Sequence, residues 1–128
     1  MIVELVTFKI PDGWERGRVL ENAKKAIPKW VSNRDLIRKH FVLGMGEDAS
    51  TSAGIYIWPS VEAAKKAHGQ AWREDLKNRS GSYPTIRYFD LFLLIDNEQG
   101  RVTEWTAEGG AREIEAIQLP AMVQQACI

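Results

Sequence analysis

The chain is poor in the groups on which much enzyme chemistry rests. It has one cysteine in 128 residues, Cys127. A single thiol forms neither an internal disulfide nor a cysteine zinc site. There are two histidines, His40 and His68, 28 positions apart, with no carboxylate at ligand spacing beside either. No metal is expected from that set. Glycine-rich phosphate loops and nucleophile-elbow serines are missing, and Gly44-Met45-Gly46 is only a loop glycine pair. Phosphoryl transfer, nucleotide binding and triad hydrolysis are thereby disfavoured. Neither sign of charge prevails: Lys plus Arg and Asp plus Glu both number 17, a formal net charge of +0. Such a chain has no electrostatic drive toward nucleic acid or an anionic membrane. It also lacks the net repulsion that keeps molecules apart, which favours self-association. No apolar run approaches the about 20 residues of a membrane span. The first residues enter a strand that carries Glu4, unlike a signal peptide. The expected location is cytoplasmic.

What is present reads as an ordinary globular chain, 45% apolar. Residues 2–10 are β-branched and aromatic, a strand closed by Pro11-Asp12-Gly13. Residues 14–31 place Val19, Leu20, Ala23, Ile27 and Trp30 on one helical stripe, with a kink or break expected at Pro28. Strands are predicted at 36–44 and 53–58, joined by a polar loop. Ser60 is a plausible N-cap for a helix over 61–77. The longest strand is predicted at 85–96. The order is β-α-β-β-α-β, the split-βαβ pattern of a ferredoxin-like α+β subunit. Residues 1–100 read as this domain and 101–128 as a C-terminal extension. Within the extension, 101–105 suits a short fifth strand, and 111–117 and 121–127 are weakly helical. Trp105, Ile114 and Met122 make it too apolar to hang free. It is expected to dock on the domain or on a partner subunit.

The strands imply a second subunit. A sheet with helices on one face alternates apolar and polar residues. Here Ile55 and Ile57 face one way while Tyr56 and Trp58 face the other, and Phe89, Phe92 and Leu94 interleave with Tyr88, Leu91 and Leu93. Both faces need cover and two helices supply one. Two sheets packed face to face make a dimeric α+β barrel, so a homodimer is expected.

The second helix carries the chemically interesting residues. Val61, Ala64, His68, Trp72 and Leu76 fall on one narrow face, turned to the sheet. Small Ala64 and Ala71 leave room for a small apolar or aromatic ligand. Opposite lie Tyr56 and Trp58, then Tyr88, and one of His40 and Lys39, which alternate across the strand. His68 is the best candidate for a catalytic base, because histidine exchanges protons near neutral pH. Tyr56, Trp58, Trp72, Tyr88 and His40 are the candidate substrate-binding residues. A hydrogen-bonded core histidine among core tryptophans is the bland alternative.

The runs Leu36-Ile37-Arg38-Lys39-His40-Phe41, Ala53-Gly54-Ile55-Tyr56-Ile57-Trp58, Ala71-Trp72-Arg73 and Ile86-Arg87-Tyr88-Phe89-Asp90 resemble the YdhR-like inferred monooxygenases. These belong to the dimeric α+β barrel superfamily, with the antibiotic-biosynthesis monooxygenases. The resemblance spans residues 1 to about 100. It implies a ferredoxin-like subunit, a homodimer and a cavity between helices and sheet. It also implies a cofactor-independent monooxygenase, or a related cyclase or isomerase, acting on a small aromatic or polyketide-like compound. Relatives of this kind use no metal, flavin or other prosthetic group. A non-catalytic ligand-binding or stress-related homodimer is the competing expectation.

Overall fold

The computed structural model describes residues 1–114. Ile2–Phe89 form one compact unit, and Met1 with the described residues from Asp90 form another.

The first unit is ferredoxin-like. It runs β1 (Ile2–Lys9), α1 (Arg16–Lys24), α2 (Ile27–Val31), β2 (Arg38–Leu43), β3 (Thr51–Trp58), α3 (Val61–Ala67), α4 (Gln70–Ser80) and β4 (Thr85–Asp90). The sheet order is β2-β3-β1-β4. The two central strands, β1 and β3, are therefore far apart in sequence. Both β1 and β2 pair antiparallel with β3, and the registers Glu4↔Tyr56 and Lys39↔Tyr56 set Lys39, Tyr56 and Glu4 in one row across the sheet. Side chains alternate along a strand, so this row shares a face with the row Phe41, Gly54 and Val6. The core lies on that face: Val6, Trp30, Tyr56, Trp58 and Ala64 are buried together. The other face carries Leu5, Ile55, Val42 and Phe89, of which Val42 and Phe89 are exposed.

Both expected helices are split. The first breaks before Pro28, where Lys25 and Ala26 donate to carbonyls three residues back, and Pro28 sits in the first turn of α2. There its missing N–H costs no intrahelical bond. The second departs from the continuous helix expected over 61–77. It stops at Ala67 and restarts at Gln70 across His68-Gly69. Glycine is a poor helix former. The freed carbonyl of His68 accepts a hydrogen bond from Arg73 Nε at 3.2 Å. Ser60 caps α3 as expected, its hydroxyl accepting the Ala63 N–H at 3.2 Å. Gly81, at φ +89°, ends α4 in the left-handed conformation glycine favours.

The single strand expected over 85–96 is also two. β4 ends at Asp90, and β5 (Leu93–Asp96) belongs to a second antiparallel sheet with β6 (Arg101–Trp105) and β7 (Ala111–Ile114), in the order β5-β6-β7. The short strand expected at 101–105 is β6. Residues 111–114, expected to be helical, form β7 instead. The turn before β7 is built from side-chain chemistry: Thr106 Oγ1 accepts the Gly110 N–H at 3.0 Å and Gly109 takes φ +93°. That turn returns the chain beside β6, where Arg112 faces Glu104 at 3.6 Å. The helix expected at 121–127, Cys127 and residues 115–117 lie outside the described residues. Among the described residues no helix is long and apolar enough to cross a membrane.

Candidate functional site

A buried acid organises the site. Glu4 lies on the helix-facing side of β1 between Ile2 and Val6, and is closed off from solvent. A lone buried carboxylate is costly. Two groups offset that cost: Trp58 Nε1 donates to Glu4 Oε1 at 2.9 Å, and His68 Nδ1 lies 2.8 Å from the same oxygen. The helix break delivers the imidazole, since His68 occupies the C-cap of α3 with non-helical dihedrals. Among the described residues Glu4 Oε2, both ring nitrogens of His68 and Tyr88 Oη have no partner of hydrogen-bond geometry, so the 2.8 Å approach of Nδ1 to Glu4 is a close contact of charge and dipole. Burial and then the Glu4 carboxylate push the Tyr88 phenol above its ordinary range.

Aromatic rings enclose the imidazole. Ring centroids of Trp72, Tyr56 and Trp30 stand 4.3, 4.6 and 5.3 Å from that of His68. Burial, then Glu4, raise the Tyr56 phenol well above its usual range, so it stays protonated.

On the far side of these rings is a cavity of about 450 Å³. Trp30, Phe41, Tyr56 and Trp72 supply an aromatic wall, and Leu20 and Ala23 of α1 face it. The volume suits a small ring compound. Gly54 makes the wall possible: a Cβ there would stand 2.6 Å from Cε1 of Tyr56. Lys39 enters the wall from β2, its Nζ 3.8 Å from the ring centroid of Phe41, 4.4 Å from Trp30 and 4.5 Å from Tyr56. Burial, with the charge of Lys29 beside it, lowers the Lys39 ammonium to about 7, against an opposing pull from Glu4.

The sequence-derived candidates divide between the cavity and the core behind it. Tyr56 and Trp72 line the cavity. Trp58 is fully buried and bonded to Glu4, Tyr88 is half-buried beside the same acid, and neither lines it. His68 stands behind Tyr56 and Trp72, off the wall. His40 is exposed, because strand alternation turns it away and turns Lys39 inward. Glu4 and Trp30 were not among the candidates. Glu4 was detectable as an acid in step with Ile2, Val6 and Phe8; Trp30 was visible only as part of an apolar stripe. Among the described residues no group of three metal-binding side chains forms.

No protein-family model matches the chain, and no curated protein matches it. Solved structures do. An inferred antibiotic biosynthesis monooxygenase of Bordetella bronchiseptica is 13% identical, with 72% of this chain and 97% of that one covered and a TM-score of 0.57. The monooxygenase ActVA-Orf6 of Streptomyces coelicolor, solved with nanaomycin D, is 14% identical over 74% of this chain and 90% of its own, with a TM-score of 0.55. Rv0793 of Mycobacterium tuberculosis is 10% identical over 76% and 99%, with a TM-score of 0.52. The likeness is one of fold: this chain shares the ferredoxin-like α+β fold of antibiotic biosynthesis monooxygenase-like proteins.

Proposed function

We propose that this chain is a cofactor-independent monooxygenase of the YdhR-like kind, or a cyclase or isomerase on the same scaffold, acting on a small aromatic or polyketide-like compound. The observation that carries the reading is the aromatic cavity with a buried acid–imidazole pair directly behind its wall. In such chemistry a base removes a proton from an activated carbon beside a ring. The delocalised anion then combines with dioxygen to give a peroxide on that carbon, which takes up a proton and loses water together with the carbon's second hydrogen, so that one oxygen atom stays as a carbonyl; without dioxygen the anion closes a ring or moves a double bond.

His68 is the proposed base. Nδ1 stands 2.8 Å from Glu4 Oε1, which leaves Nε2 as the nitrogen to receive a proton; neither nitrogen has a partner of hydrogen-bond geometry among the described residues. Reaching a ligand requires Trp72 or Tyr56 to shift, because neither nitrogen lies on the wall. The proposal includes a cytoplasmic homodimer formed through the face of Leu5, Ile55 and Phe89.

A non-catalytic ligand-binding or stress-related homodimer is the second reading, and the seclusion of His68 favours it. The test is His68→Ala, assayed for oxygen consumption with a panel of polycyclic phenols. Under the enzyme reading the variant folds and loses turnover. Turnover equal to wild type overturns the role of His68, and no turnover by wild type with any compound that binds favours the second reading.

A further inference from the structure

We infer that the cavity's ligand is an aromatic anion, a ring system bearing a carboxylate or enolate-type oxygen, and that Lys39 is the residue that pairs with it. The inference rests on the proposed reading of the cavity as a small-molecule site and names the class of molecule.

The first observation is the charge lining. Four cations border the cavity, Lys9, Arg16, Lys39 and Arg79, and no Asp or Glu does. The chain as a whole holds 17 of each sign. The second is the place of Lys39 among the four. Lys9, Arg16 and Arg79 are exposed to water, and Arg79 Nε already meets Asp75 at 3.0 Å. Lys39 alone is half-buried, and among the described residues it has neither a salt bridge nor a hydrogen bond.

An ammonium in that position is poorly compensated. The faces of Phe41, Trp30 and Tyr56 attract it as a cation. Ring faces replace only part of the lost hydration. Around it stand Glu4 on β1, the protonated phenol of Tyr56 on β3 and Lys29 on α2; burial and then Lys29 favour the neutral amine, and Glu4 opposes them. A ligand oxyanion seated against Nζ would supply the missing partner while its rings stack on the wall. A neutral ring compound would gain the stacking alone. This gives the wall two tasks in one ligand: the rings select for flat apolar surface, and the amine selects for the acidic group attached to it.

The probes are 2-naphthoate and its methyl ester, titrated calorimetrically into the full chain near pH 7.5. Naphthoate is expected to bind about tenfold or more tightly than the ester, the scale of one charge-assisted hydrogen bond. Lys39→Met should erase that preference, and Lys39→Arg should restore part of it. A second readout needs no variant: pairing should recharge Lys39, so naphthoate binding takes up protons, seen as a dependence of the heat on buffer ionisation, and ester binding does not. Equal affinities, an ester that binds better, or Lys39→Met holding naphthoate as tightly as wild type overturns the inference and leaves the cavity reading standing. Binding of neither compound overturns both.

Discussion

Glu4 and His68, separated by most of the domain's length, meet 2.8 Å apart with both side chains shut off from solvent. The contact ties the first strand of the sheet to the gap between α3 and α4. It makes the most conspicuous proton-exchanging group a member of the core as well as a candidate for chemistry.

That double membership predicts strong coupling. His68→Ala strips the Glu4 carboxylate of its nearest partner and should cost about 3–5 kcal/mol, the usual loss when one member of a buried pair is removed. Glu4→Gln should be milder, since the amide can still accept from Trp58 Nε1. In a double-mutant cycle by urea denaturation, the combined variant should lose less than the sum of the two. Strict additivity would show that the two groups do not act together.

Lys39 should give stability a dependence on alkaline pH. Its folded value is lowered to about 7, whereas the unfolded chain titrates near 10.5. Between those values the unfolded state binds more protons, so stability rises with pH across the window; below it, both states are protonated and the burial cost of the charge is fully expressed. Lys39→Met should flatten the rise. Denaturation midpoints at pH 6.5 and pH 9.5, compared between wild type and variant, measure it. Equal slopes would refute the placement of the amine.

Gly54 is predicted to be sensitive to any side chain. A Cβ would press on a Tyr56 ring already held by Trp30 and His68, with centroids at 5.1 and 4.6 Å. Gly54→Val should cost about 1–3 kcal/mol, as overpacking commonly does. It should also weaken aromatic ligands by displacing the wall. Thermal unfolding with and without 2-naphthoate separates the two effects.

The proposed homodimer is checked by sedimentation. Wild type should run at twice 14.5 kDa. Phe89→Glu, on the face opposite the cavity, should shift it toward monomer with secondary structure intact. A wild type that stays monomeric across the micromolar range would remove the dimer from the proposal.

The fold was legible because it depends on period. The β-branched and aromatic run at residues 55–58 and the stripe through Val19, Ala23, Ile27 and Trp30 announce strand and helix. The misreadings arise where a run's local pattern does not carry the change in the chain's path. Gly69 splits a helix whose apolar spacing continues past it, and the run after Asp90 keeps its apolar character while changing sheets. The site was only half legible for another reason. Tyr56 and Trp72 announced themselves by type and phase, but the grouping of Glu4 with His68 and Trp58 arises from β1 lying beside β3, a neighbour relation absent from any local window. The choice between His40 and Lys39 likewise depended on strand phase, which the register with Tyr56 settles in favour of Lys39.

The four cations at the cavity have a counterpart in the molecule's overall neutrality. Seen from beyond a Debye length, about 8 Å in physiological salt, the chain presents no net field to draw in a distant anion. Discrimination by sign therefore acts only at close range, at the threshold itself. Such an arrangement lets a protein be choosy about a charged guest without becoming sticky toward the polyanions that crowd every cell.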